Sequence, residues 1–318
     1  MKNFVMILLA VLLAVLPVLS LGEGAENAAD SGAPAFADFS DKFADKFLPE
    51  GSEPILTENS YQSENVNITI STRRCEKSDV YIADIYVRSV ECLQRVYAGG
   101  SYGKTTAKVN KMAVQSGAIL AMTGDSSQTF SKGWVVSNGK IERDSSNRIR
   151  DLGIVYRDGT METIRSKDVD YAKLRADADA GRIWHIFLFG PALLDGESKA
   201  TLSFKDSNVR YANPRSVIGY YEPGHYCFVQ VDGRGVKSAL EAKTTSVGLT
   251  LSQLAALMEE LGCKAAYNLD GGQSSMLAFN FEIISTPYHG GRNVGDSVVI
   301  MDLPREAAPA AEGESAMP

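Results

Sequence analysis

Asn268-Leu269-Asp270-Gly271-Gly272-Gln273-Ser274-Ser275 is the stretch whose reading decides the fold. A short apolar run, 263–267, leads into it, and another, 276–279, leaves it. A carboxylate at a strand end, followed by two glycines and two hydroxyls, makes a poor core segment. It makes a good place to hold a polar ligand. Paired glycines allow positive φ and close backbone approach. Successive N–H groups in such a turn can form an anion-binding nest. Taken alone, the same residues also suit a plain tight turn with an Asp cap.

Working outward, Thr250 and Gln253 form a capping box, and Leu251, Leu254, Leu257, Met258 and Leu261 make an apolar stripe that Gly262 ends. This helix buttresses the turn and is core packing. Other strand-like runs end in similar turns. Residues 118–122 run into Thr123-Gly124-Asp125, and 183–189 into Gly190-Pro191. Asn213-Pro214-Arg215 opens 216–221, and 226–231 ends in Asp232-Gly233-Arg234. Asn138-Gly139 and Asp158-Gly159 each join two short apolar runs as hairpins. Two more helices are expected, one capped by Thr106 and stopped by Gly117, one over 169–180. Strands outnumber helices and hairpins imply antiparallel pairing. The expectation is a single α+β domain over 56–303, with a large mixed, mainly antiparallel sheet and a few packed helices.

Residues 1–22 read as a leader: Lys2, then an almost unbroken apolar run over 4–19, then small residues. The run is short for a membrane span, so a cleaved signal is the first reading and a retained anchor the second. Residues 23–55 read as a linker with a short helix near 36–47, and the tail over 304–318 as disordered. A secreted or extracytoplasmic location follows. Export permits disulfides. The four cysteines leave open which pairing, or none, occurs: Cys75 and Cys92 could close a hairpin, and Cys227 and Cys263 sit in apolar runs that suit buried free thiols equally well.

The chain of 318 residues carries a net charge of −7 with both signs interspersed, which excludes a nucleic-acid footprint. No HExxH, GxSxG, Walker A or GxGxxG is present, which sets aside zincins, α/β-hydrolases and nucleotide folds. Of three histidines, His185 reads as structural, and His225, in a loop beside the Arg215 strand, could reach a cleft. Acidic groups beside arginine suit a ligand with hydroxyls and an anion, since Arg takes phosphate bidentately. Each such pair on its own is more often a turn salt bridge. Asp125, Asp232, Asp270 and Asp296 could bind Ca²⁺ through oxygens, without EF-hand spacing. Nothing in the sequence requires a cofactor.

The ordered set Thr123-Gly124-Asp125, Gly190-Pro191-Ala192-Leu193, Asn213-Pro214-Arg215-Ser216-Val217-Ile218-Gly219, Val231-Asp232-Gly233-Arg234, Gly248-Leu249-Thr250-Leu251 and Asn268-Leu269-Asp270-Gly271-Gly272 resembles the phosphodiester glycosidase family, which has many exported bacterial members. The likeness runs from about residue 65 to 301. It implies hydrolysis of a sugar–O–phosphate diester in a phosphorylated glycan or polysaccharide. By position it implies Asp270, Asp232 and Asp125 as catalytic carboxylates. Arg215, Arg234, Asn268, Gly271, Gly272, Ser274 and Ser275 then line the substrate, with Thr123 and His225 beside them. Asp270 would act at the anomeric carbon as nucleophile or base. Arg215 and the N–H groups of residues 271–275 would hold phosphate, and Asn268 and Asp125 sugar hydroxyls. The chain departs from the family at Thr123 (usually Asn), at Ser126-Ser127 (usually led by an aromatic), at Gln273 (usually Gly) and at Asn280-Phe281 (usually Asn-Gly). Those departures leave a second reading, a catalytically weakened glycan-binding module, and a third, a structural envelope protein.

Overall fold

Three sheets share one core, and each carries a helix on its outer face. The computed structural model describes residues 32–146, 149–195, 203–235 and 245–303. The leader and the tail read from sequence lie outside them. Residues from Ala33 onward cluster as one compact unit.

The largest sheet runs Ile55–Leu56 (β1), Ser60–Gln62 (β2), Val66–Cys75 (β3), Ser78–Val87 (β4), His225–Val231 (β14), Arg215–Glu222 (β13), Ala265–Asn268 (β15), Ala192–Asp195 (β12). The second runs Met161–Ile164 (β10), Leu152–Tyr156 (β9), Ile183–Phe187 (β11), Trp134–Ser137 (β7), Lys140–Asp144 (β8). The third runs Glu282–Ile283 (β17), Leu277–Phe279 (β16), Leu120–Thr123 (β6), Asp296–Ile300 (β18), Leu93–Tyr97 (β5). Every pairing between these strands is antiparallel. The α+β expectation holds, with the strands divided among three sheets. Hydrophobic periodicity identifies strands but says nothing about which of them share a sheet.

The shared core explains the apolar runs. Along β14, Tyr226 and Phe228 face the common core with Ile68, Ile85, Leu120, Val298, Val155 and Phe187. Cys227, Val229 and Val231 face the other way, onto helix Leu251–Glu260 (α3). A strand covered on both faces loses the polar alternation of a half-exposed one. In α3, Leu251, Leu254, Leu257 and Met258 are buried, each worth about 1.5–3 kcal/mol. Its capping box forms as the sequence implies. Helix Val109–Ser116 (α1) backs the third sheet through Val109, Met112 and Ala113. Helix Tyr171–Asp179 (α2) backs the second through Leu174. The helix before Gly117 begins later than expected, at Val109, with no side-chain cap from Thr106. Gly117 does stop it, at φ 74°.

Two sequence readings change. The stretch near 36–47 forms turns without a helix. It also docks: Phe39 and Phe43 are buried, and Phe43 packs edge-on to Tyr86. A hairpin disulfide between Cys75 and Cys92 is ruled out by register. Cys75 pairs with Ser78 at the turn, whereas Cys92 lies beyond Val87 at the far end of the same hairpin. At a strand rise of about 3.3 Å per residue, the two ends are roughly 30 Å apart.

Candidate active site

Four strand ends from two sheets meet at the Asn268–Ser275 turn. Antiparallel pairing sets Arg215 opposite Val231 and Val217 opposite Asn268, so β13, β14 and β15 share one edge. The third sheet abuts it: Asp270 N–H donates to Gly124 O at 3.0 Å. The glycines serve the packing that their pairing implies. A Cβ on Gly271 would stand 2.7 Å from Pro214 O, and Gly272 has φ +65° with the Arg234 guanidinium against it. Gly233 is equally enclosed, by Gly248 and Pro214. Arg234 takes φ +63°, a left-handed conformation that costs a non-glycine residue about 1–2 kcal/mol. That turn aims its guanidinium back at Asn213 Oδ1, with Nε at 3.0 Å and Nη2 at 2.7 Å.

Asp270 is the carboxylate at the centre. Its Oδ2 accepts from Ser126 Oγ at 2.7 Å and faces Arg292 Nη2 at 3.4 Å, while Oδ1 accepts from Gly271 N at 2.8 Å. Arg292 Nε donates to Ser274 Oγ at 2.6 Å. The Arg292 side chain is 56% exposed and that of Asp270 6%, so the arginine is the group an arriving ligand meets first. Arg215, Arg234 and Arg292 thus crowd one turn. Neither Arg215 nor Arg234 has a carboxylate partner among the described residues. Burial, then the Arg234 charge, pushes the Arg215 guanidinium down to about 10.

Several expected ligand groups are already committed to the protein. The N–H groups of Gly271, Gly272, Ser274 and Ser275 bond Asp270, Pro214, Gly271 and Gly272, so these four do not form an open nest. Free anion-binding capacity sits on guanidinium groups instead. Thr123 is fully buried; its hydroxyl donates to Ser274 O at 2.5 Å and accepts from Met276 N at 3.0 Å. Ser275 turns inward onto Ser216 Oγ at 2.9 Å and Gln230 Nε2 at 3.0 Å. Arg215 holds the carbonyls of Leu249, Val209 and Tyr211. Asp232 accepts Thr286 N–H at 3.1 and 2.9 Å, and burial pushes its carboxyl up to about 6. Asn268 Nδ2 holds Gly190 O at 2.8 Å, while its Oδ1 is buried without a partner.

Asp125 is 0% exposed. It accepts from Leu188 N at 2.8 Å and Phe189 N at 2.6 Å, and faces Arg95 Nη2 at 3.4 Å. Burial pushes its carboxyl up to about 6 against the pull of Arg95. Arg95 also meets Asp296 at 2.7 Å. Asp296 in turn accepts the N–H groups of Asp125 and Ser126. Asp125 and Asp296 thus share the Arg95 guanidinium. Among the described residues no three His, Cys, Asp or Glu group as metal ligands. His225 is at the wrong end. It opens β14, roughly 20 Å from Asp232 at the strand rise, bonded to Asp84 at 2.7 Å and stacked on Tyr86. His185 is structural as read, buried against Leu93 O at 2.9 Å.

Sequence reasoning missed Ser126 and Arg292 as site groups and Arg95 as their support. Ser126 stood out only as a departure after Asp125. Arg292 lies in a glycine-rich loop with no motif to mark it.

The family model described as phosphodiester glycosidase matches residues 108–301, more than half of the chain. The catalytic domain of zebrafish N-acetylglucosamine-1-phosphodiester alpha-N-acetylglucosaminidase, solved auto-inhibited by its pro-peptide, superposes with a TM-score of 0.55 at 18% identity, over 81% of this chain and 87% of that one. A hypothetical protein from Synechocystis gives a TM-score of 0.55 at 12% identity, over 79% of this chain and 64% of that one. At these identities the likeness is one of fold. An SPbeta prophage-derived uncharacterized protein of Bacillus subtilis (strain 168), YomE, is 29% identical over 151 residues, 46% of this chain but 21% of that relative's length. The chain belongs to the phosphodiester glycosidase family.

Proposed function

We propose that this protein is an exported hydrolase that cleaves a sugar-1-phosphate diester of an N-acetylglucosamine type or related sugar, in a cell-envelope or exopolysaccharide glycan. The observation that carries the reading is the Asp270 carboxylate, oriented by Ser126 and Gly271 and flanked by Arg292, with Arg234 against the same turn. One nucleophilic carboxylate beside cationic groups fits a substrate whose reacting carbon carries an anion.

The chemistry follows from that charge layout. Arg292 and Arg234 take the phosphate oxygens, which draws Arg292 away from its long contact with Asp270. Asp270 then acts at the anomeric carbon, either as base for an attacking water or as nucleophile, in which case water hydrolyses the resulting glycosyl ester and restores the carboxylate. The bond between that carbon and the bridging oxygen breaks, and the electron pair leaves on the phosphate. A phosphate monoester is a good leaving group, so stabilising the oxocarbenium-like centre matters more than protonating the leaving oxygen. Asn268 Oδ1, a buried acceptor without a partner, suits a sugar hydroxyl once the site opens. The weakened-module reading rests on the departures at Thr123 and Gln273, of which Thr123 can be followed in the hydrogen bonds. Its hydroxyl is spent on Ser274 and Met276, so the change from Asn removes no free group from the site. No metal is assigned to the reaction.

The test is sugar release from a panel of sugar-1-phosphodiesters by wild type and Asp270→Asn, each with EDTA and with added Ca²⁺. Release by wild type, unaffected by EDTA and reduced at least a thousandfold in the variant, supports the reading. Glycan retention in a pull-down with no release from any member would replace it with the binding module. Fractionation of the producing cells tests export.

A further inference from the structure

We propose that the loop over 286–294 is a strap that presents Arg292 and Tyr288 to the anionic part of the substrate, and that Asp232 and Lys108 are the positioning residues that hold it. The proposal rests on the hydrolase reading above. It moves Asp232 from the reacting groups to their support.

Both ends of the strap are pinned. At the start, both Asp232 oxygens accept the Thr286 N–H, at 3.1 and 2.9 Å. Burial of this carboxyl leaves the Thr286 N–H as the donor its oxygens meet on the strap. In the middle, Lys108 Nζ donates to Gly290 O at 2.6 Å and Gly291 O at 2.7 Å. Lys108 has no carboxylate partner among the described residues; its side-chain hydrogen bonds go to these two carbonyls. At the end, Val294 bridges Ala107, one residue before Lys108. The intervening backbone is unusual. His289, Gly290 and Gly291 all have positive φ, 51, 70 and 74°, and in the non-glycine His289 that conformation carries a cost. Such a path persists only when its surroundings hold it.

What the strap carries reaches the site. Arg292 N–H bonds Gln273 O at 3.0 Å, and its guanidinium meets Ser274 and Asp270. The Tyr288 ring lies 5.5 Å from the Arg234 guanidinium carbon. This one loop therefore carries one of the three arginines at the turn and lays a ring beside a second.

The kinetics separate support from chemistry. A catalytic carboxylate removes kcat when lost. A strap pin lowers the effective hold on the phosphate and raises KM. We expect Lys108→Met and Asp232→Asn each to raise KM about tenfold with kcat within threefold of wild type. Arg292→Gln raises KM further. Lys108→Arg, which keeps the donor, returns to within threefold. Hydrogen exchange of the 288–292 amides should accelerate in Lys108→Met and Asp232→Asn and stay near wild type in Lys108→Arg. Thermal protection by inorganic phosphate should weaken in the same variants, a readout that needs no substrate. Should Lys108→Met fail to fold, Lys108→Gln takes its place. Loosened amides with unchanged KM and phosphate protection would overturn the strap, as would an Asp232→Asn that loses kcat a hundredfold at unchanged KM. A wild type with neither turnover nor phosphate protection would overturn the hydrolase reading as well.

A separate observation carries a second inference. Cys227 Sγ and Cys263 Sγ lie 3.7 Å apart, fully buried, astride β13. Gly219 leaves them room: a Cβ there would stand 2.6 and 2.9 Å from the two sulfurs. We infer that this pair becomes a disulfide when the chain folds in an oxidising compartment. One thiolate attacks a small-molecule disulfide, the second resolves the mixed disulfide, and two reduced small thiols leave with the protons. The full chain refolded in a glutathione redox buffer should then alkylate at two of its four cysteines. A Cys227–Cys263 cross-linked peptide should appear on mass spectrometry. Four alkylated cysteines, or a link through Cys75 or Cys92, would overturn it.

Discussion

Thr123→Val separates a residue that touches substrate from one that shapes the turn beneath it. Valine matches threonine in shape, so packing in this fully buried position is kept. What goes is one hydroxyl with two strong partners, Ser274 O at 2.5 Å and Met276 N at 3.0 Å. Neither partner has water to turn to. Met276 N–H and Ser274 C=O are each left short of a bond at about 1–3 kcal/mol, and some relaxation of the turn offsets part of this. The expected loss of stability is about 2–4 kcal/mol. For a domain of this size each kcal/mol lowers Tm by about 2–4 °C, so Tm falls by about 5–15 °C. The turn keeps its other ties, Gly272 N to Pro214 O at 2.9 Å and Asp270 N to Gly124 O at 3.0 Å. The kcat/KM at 25 °C should therefore stay within about fivefold of wild type, near 1 kcal/mol. Calorimetry and turnover on the same preparation settle it. An unchanged Tm with activity down a hundredfold would refute the reasoning and return Thr123 to the substrate.

Other perturbations test other parts of the layout. Asp232 and Asp125 both hold protons to about pH 6 against 3.8 for a free Asp, so their contribution to stability is full below about pH 4 and is lost as pH rises through 6. Asp232→Asn should gain on wild type across that window by up to about 3 kcal/mol, read from denaturant midpoints at pH 4 and pH 7. Arg215→Met removes the donor to three loop carbonyls and should cost about 3–5 kcal/mol, measured by urea unfolding; a stable variant that merely binds phosphate less well would make Arg215 a ligand instead. His225→Ala should leave turnover within twofold, because its strand carries it away from Asp270; a tenfold loss would contradict that placement.

How much of this could be read from the chain depends on how local each cause is. Asp270, Gly271 and Gly272 were legible because a turn demands its residues within a few positions. Gly272 needs its positive φ, and Gly271 needs to clear Pro214 O. Convergence of the strand-end turns was legible too, since antiparallel register sets Arg215 beside Val231. The same register argues against His225: two long strands joined by the short turn at Glu222 put its histidine at the far end. What local pattern cannot supply is how hydrogen-bonding capacity is spent. Asp125 looks like a reacting acid in a Gly-Asp turn. It becomes a clamp only because β11 ends where its carboxylate meets Leu188 and Phe189 N–H. Arg95 lies in an ordinary strand pattern and gains its role from Asp125 and Asp296, 30 and 201 residues away. Arg292 matters because a loop joining two strands of the third sheet reaches over to the turn that follows β15. A site assembled where sheets meet is written in contacts between distant segments, so its central carboxylate can be found from sequence while the arginine facing it cannot.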